Sequence, residues 1–169
     1  WFLGDHTIKF GADYKNDDIF NLFGRDLFGV YTFNSIDDFA AGRFSSYSRR
    51  AAQPGLSNDS LAADWELANL GFFIQDTWFV SPNLNIMYGL RVDTPDVKGK
   101  PTFNQTFATA YGFRNDTTVD GNEVVQPRFG FNYTFDTERP TQFRGGLGLF
   151  AGSAANVWLS NPFSNTGLS

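Results

Sequence analysis

Five stretches of about ten residues alternate apolar and polar side chains with a period of two, and this pattern decides what the chain can become. Near 6–14, Ile8, Phe10, Ala12 and Tyr14 share one face against Thr7, Lys9, Gly11 and Asp13. Near 69–80, Leu70, Phe72, Ile74 and Trp78 oppose Asn69, Gly71, Gln75 and Thr77, with Phe73 as the exception. Near 84–93, Leu84, Ile86, Tyr88, Leu90 and Val92 oppose Asn85, Met87, Gly89, Arg91 and Asp93. Near 126–135, Phe129, Phe131, Tyr133 and Phe135 oppose Gln126, Arg128, Gly130, Asn132 and Thr134. Near 142–152, Phe143, Leu147, Leu149 and Ala151 oppose Gln142, Arg144, Gly146, Gly148 and Gly152. Side chains alternate across a strand, so each run predicts a β-strand with one apolar face. Each is also long enough to cross a bilayer when tilted.

The composition of the two faces separates a membrane barrel from a soluble sandwich. Aromatics make up 18% of the chain and crowd the apolar faces, while Gly, Asn, Thr and Arg fill the polar ones. An aromatic surface of this density must meet hydrocarbon or a second sheet, because in water it would aggregate. No run of eighteen apolar residues is present, which excludes a membrane-spanning helix and leaves strands untouched. The net charge of −5, without a basic cluster, argues against a nucleic-acid partner, and the absence of Cys excludes disulfides and thiolate metal sites.

Connections supply a second signal. Gly4-Asp5, Ser81-Pro82-Asn83 and Asp136–Thr141 carry turn chemistry, whereas 15–68 and 94–125 are long and polar. Tight turns alternating with long loops predict periplasmic turns and extracellular loops. Trp1, Trp78, Phe79, Phe135 and Phe143 fall beside the turns, where an interfacial aromatic girdle sits. Within the first loop, Ser35 with Asp38 predicts a capped helix ending at Gly42, and Phe28–Phe33 is expected to extend a strand above the membrane. The expected fold is therefore all-β: a partial transmembrane antiparallel β-barrel, five to six strands of a larger barrel, in the bacterial outer membrane. Residues 1–169 form one fragment of that domain. From the start at Trp1-Phe2-Leu3, without Met or a signal peptide, the fragment is expected to lie inside a longer protein.

Several motifs then resemble a known family. Phe73-Ile74-Gln75-Asp76-Thr77-Trp78, Ser81-Pro82-Asn83-Leu84 and Tyr88-Gly89-Leu90-Arg91-Val92-Asp93 resemble the strand-turn-strand signature of TonB-dependent receptor barrels, with Gly4–Gly11 similar to the preceding strand. Phe33–Phe39, Gln126–Gly130, Arg144–Phe150 and Trp158–Asn161 resemble the Oar-like branch, whose members carry a carboxypeptidase-regulatory-like domain. The resemblance implies energised import of an extracellular ligand, with a plug domain and TonB as partners alongside outer-membrane lipid. On this reading Lys9, Asp13, Arg91, Asp93, Arg128 and Arg144 face the lumen, where they meet plug or ligand or only one another, as Arg91 beside Asp76 or Asp93.

Other chemistries find little support. His6 is the sole histidine, has no ligand at strand or helix spacing, and predicts no metal site. Asp17-Asp18 and Asp37-Asp38 lack the spacing of a calcium loop. Gly146–Ala151 formally fits a dinucleotide fingerprint but lies inside an alternating strand, so no cofactor is expected. The sequons at Asn58, Asn104 and Asn115 are chance matches in loops. No nucleophile, base and acid can be assembled, and no enzyme is expected. The alternative is a secreted all-β carbohydrate-binding or adhesion module, a sandwich whose aromatics bind a glycan.

Overall fold

A computed structural model describes residues 1–22, 26–52, 54–55 and 57–168. In chain order the elements are β1 (Phe2–Leu3), β2 (His6–Asn21), β3 (Val30–Thr32), α1 (Ile36–Ala40), β4 (Ser46–Ser48), a 3-10 turn (Asn58–Leu61), β5 (Ala63–Ser81), β6 (Leu84–Lys98), α2 (Gln105–Tyr111), β7 (Val124–Phe135), β8 (Thr141–Gly148) and α3 (Asn156–Ser164). They fall into two compact units: Trp1–Asp17 with Glu66–Lys98 and Val119–Ser153, and Asp18–Trp65 with Gly99–Thr118 and Ala154–Ser169. No described helix is long and apolar enough to cross a membrane, which says nothing of strands.

The first unit is built on a six-stranded sheet of order β1-β2-β5-β6-β7-β8. All five alternating runs lie in it, and its open edges fall at the β1 and β8 ends. The β5–β6 ladder runs antiparallel from Glu66↔Lys98 to Trp78↔Ile86 without a shift, β6–β7 from Leu84↔Tyr133 to Asp93↔Val124, and β7–β8 from Arg128↔Gly148 to Phe135↔Thr141. Paired residues of antiparallel strands point to the same side, so these registers fix the faces. Phe72 with Val92, Ile74 with Leu90, Tyr88 with Phe129 and Leu147, and Tyr133 with Phe143 form one aromatic side. Phe10, Ile74, Tyr88 and Leu147 on it are exposed. A soluble sandwich would bury this side under a second sheet. Phe79 N–H donates to Asp5 O (2.8 Å) and Thr134 N–H to Asn83 O (2.8 Å), which gathers the three tight turns at one end of the sheet.

The strand limits differ from those read in the sequence. Phe2-Leu3, outside the five alternating runs, form β1, which folds back through a turn with Gly4 at φ +58 to pair Phe2↔Thr7 and Leu3↔His6. β2 continues past Tyr14 to Asn21, β5 begins at Ala63 and β6 ends at Lys98, so the loops expected at 15–68 and 94–125 shrink to 22–62 and 99–123. Polar residues on both faces of 15–18 conceal the period there. Cross-strand bonding holds the β5 and β6 extensions, with Lys98 Nζ donating to Glu66 Oε2 at 2.7 Å. β8 stops at Gly148 and not at Gly152, so Leu149 lies beyond the strand, although its N–H still reaches Pro127 O (3.0 Å).

In the second unit, α1 has the expected cap: Ser35 Oγ accepts from Asp38 N–H (3.1 Å) and donates to Asp38 Oδ2 (2.8 Å), and Gly42 follows at φ +67. Within Phe28–Phe33, expected to extend a strand above the membrane, only Val30–Thr32 is strand, and it pairs antiparallel with β4 in a separate two-stranded sheet. α2 is capped by Asn104 Oδ1, which accepts from Phe107 N–H at 3.0 Å, and ends on left-handed Gly112. α3 has no side-chain cap and contains Pro162. It is held to buried Trp65, whose ring stacks on Phe163 with centroids 5.2 Å apart and whose Nε1–H donates to Ser160 Oγ at 3.0 Å.

Candidate functional site

The side of the sheet opposite the aromatics carries the charge. Three of the six residues singled out there form one network. Arg91 on β6 donates through Nη1 and Nη2 to both carboxylate oxygens of Asp13 (2.6 and 2.9 Å), and through Nε and Nη2 to both oxygens of Asp93 (2.9 and 2.6 Å). Asp93, 8% exposed, also accepts from Asn69 Nδ2 (3.2 Å) and from Gln126 Nε2. Gln126, 2% exposed, in turn accepts from Ala151 N–H at 2.9 Å. To reach Asp13 on β2, the guanidinium crosses the intervening β5 at Gly71, where any Cβ would overlap it. The network therefore ties β2, β5, β6 and β7 together through side chains.

The other three candidates stay outside it. Lys9, Arg128 and Arg144 share the polar side, and among the described residues none has a carboxylate partner. Arg128 lies 4.7 Å over the Phe150 ring, and Arg144 stands opposite Asn132.

Asp76 does not neighbour Arg91, contrary to one of the two expected pairings. It stands opposite Tyr88 on the aromatic side, where its Oδ2 accepts from Tyr88 Oη (2.7 Å) and bonds His6 Nδ1 (2.6 Å). His6 also stacks on Trp78 with ring centroids 5.5 Å apart. The signal was in the sequence, since Asp76 interrupts the apolar series Leu70, Phe72, Ile74, Trp78 in phase.

Residues 1–168 match the model of a family described as an outer membrane beta barrel domain. The chain belongs to that family. No curated protein and no solved structure matches it. As an outer-membrane β-barrel domain it resides in the outer membrane, and its six-stranded sheet is barrel wall, not closed on itself.

In the connection between β6 and β7 of this barrel domain, Arg114 clamps Asp116 with two bonds, Nε to Oδ1 at 2.8 Å and Nη2 to Oδ2 at 2.6 Å, while its guanidinium lies 4.2 Å over Phe103. The bonds from Arg114 hold the Asp116 carboxyl below its ordinary value of 3.8. A lowered folded value stabilises the loop at pH above the ordinary carboxyl range and loses that contribution as the pH falls through the folded value. Carbon-13 NMR titration of the Asp116 carboxyl should give a midpoint below 3.8, and a midpoint at or above it would mean the clamp is not formed in solution.

Proposed function

We propose that this barrel wall belongs to a TonB-dependent receptor of the Oar-like branch, with its aromatic side against lipid and its polar side lining the lumen. The single observation that carries the reading is the division of one sheet into two unlike faces: exposed Phe, Ile, Tyr and Leu on one, and on the other a hydrogen-bonded Arg91 network with cations that have no carboxylate partner among the described residues. In hydrocarbon an aromatic face costs nothing, and a lumen hydrates or pairs the charges. The receptor-like signature supports the finer assignment, because its two strand motifs form the β5–β6 hairpin and meet at Ile74↔Leu90. On this reading an extracellular ligand binds outside and passes a plug on its way in, and the chain performs no catalytic step.

The reading is tested without knowing the ligand. Photocrosslinking of the full-length protein in its outer membrane should give an adduct with TonB. If another receptor in the same cells gives that adduct and this protein does not, energised import is wrong and the chain is barrel wall alone.

A further inference from the structure

We propose that Arg128 is an anion-binding site on the polar side of the wall, taking the carboxylate or phosphate group of a solute that moves along it. The proposal rests on the lumen reading above. Arg128 faces a concavity of about 340 Å³ also lined by Gln75, Gly89 and Arg91. Arg91 enters it already neutralised by two carboxylates, so it offers a passing anion little. Arg128 enters it with no carboxylate beside it, and its Nε–H is a buried donor without an acceptor among the described residues.

The cross-strand neighbours of Arg128 place no side chain over it. Its partner on β6 is Gly89 and its partner on β8 is Gly148. A Cβ at Gly89 would strike the Ile74 carbonyl, and one at Gly148 would require Phe150 and the Pro127 carbonyl to give way, so glycine at both positions leaves no side chain to shield the guanidinium. Phe150 packs under the guanidinium and restricts its motion. A planar fork held in place with unfilled donors matches the two oxygens of a carboxylate or phosphate. The wider charge pattern points the same way. The six candidate residues of this face comprise four cations and two carboxylates, in a chain whose net charge is −5.

A unique cysteine reads the local potential. The chain contains no Cys, and Gly130, two residues from Arg128 on the same face, admits a Cβ if the Met87 methyl shifts slightly. In the full-length protein in its outer membrane, with any other cysteine replaced, Gly130→Cys should react faster with a sulfonate-bearing methanethiosulfonate than with its trimethylammonium counterpart. Arg128→Gln should reduce that ratio about tenfold, Arg128→Lys should retain most of it, and added citrate should slow the sulfonate reagent only where Arg128 is present. If Gly130→Cys does not assemble, Asn132→Cys on the same face replaces it. A ratio unchanged by Arg128→Gln, or indifference to citrate, would overturn the site and leave the lumen reading intact. Labelling by a lipid-soluble maleimide alone, with both charged reagents excluded, would overturn the lumen reading and the site with it.

Discussion

Arg91→Ala should lower the unfolding stability of the barrel wall by about 3 kcal/mol, more than an ordinary surface ion pair commands. The argument turns on what the substitution leaves behind. Asp13 is half exposed and rehydrates, so its loss is small. Asp93 is 8% exposed and would keep only the amide donors of Asn69 and Gln126 against its charge. Arg91→Lys should cost roughly half as much, because an ammonium cannot fork to two carboxylates across β5. Combining Arg91→Ala with Asp93→Asn should recover part of the loss by removing the stranded charge, a non-additivity expected of residues in one network. Urea midpoints of the full-length protein in detergent, followed by loss of heat-modifiable migration, compare all three variants with the parent. A midpoint for Arg91→Ala within error of the parent would mean that the ladder hydrogen bonds alone hold these strands.

Period-two alternation made the strands legible because one side of the sheet meets a uniform environment, and every paired residue reports it. Of the network, Arg91 beside Asp93 was legible and the link from Arg91 to Asp13 was not. Asp13 and Arg91 are 78 residues apart and joined across a third strand, and nothing in local spacing encodes that. Only the excess of Gly on the polar runs hinted at it, through Gly71, whose lack of a side chain makes room for the guanidinium. The start of β5 was missed for a different reason. Over 63–67 the apolar residues are odd-numbered, Ala63, Trp65 and Leu67, whereas over 70–78 they are even-numbered. A change of phase resembles the end of a strand, yet the ladder continues through it without a register shift, and only the environment of the two faces changes. The caps of α2, Asn104 and Gly112, stand in the sequence, but the helix between them is too short to show a 3.6-residue period and the segment reads as loop. α3 gave no such signal: it lacks a capping side chain and carries a proline.

That weakness makes α3 dependent on one tertiary anchor, and Trp65→Ala should therefore release it. Trp65 is 3% exposed, and replacing a buried tryptophan with alanine costs about 3–5 kcal/mol through lost transfer and an unfilled cavity. The substitution also strips Phe163 of its stacking partner and Ser160 Oγ, fully buried, of the donor it accepts from. Ser160 Oγ still donates to Asn156 O at 2.8 Å, a bond within the helix that cannot tie it to β5. Amide hydrogen exchange on the full-length protein should show α3 losing protection by at least about a hundredfold, with the β6–β7 ladder as internal reference, since 1.4 kcal/mol corresponds to a factor of ten. Trp65→Phe keeps a ring against Phe163 and loses only the N–H, so its effect should be about 1–2 kcal/mol and the helix should lose protection by roughly 5- to 30-fold, well short of the loss in Trp65→Ala. Unchanged protection of α3 in Trp65→Ala would show that the helix holds itself, against its missing cap and its internal proline, and that Trp65 packs beside it without anchoring it.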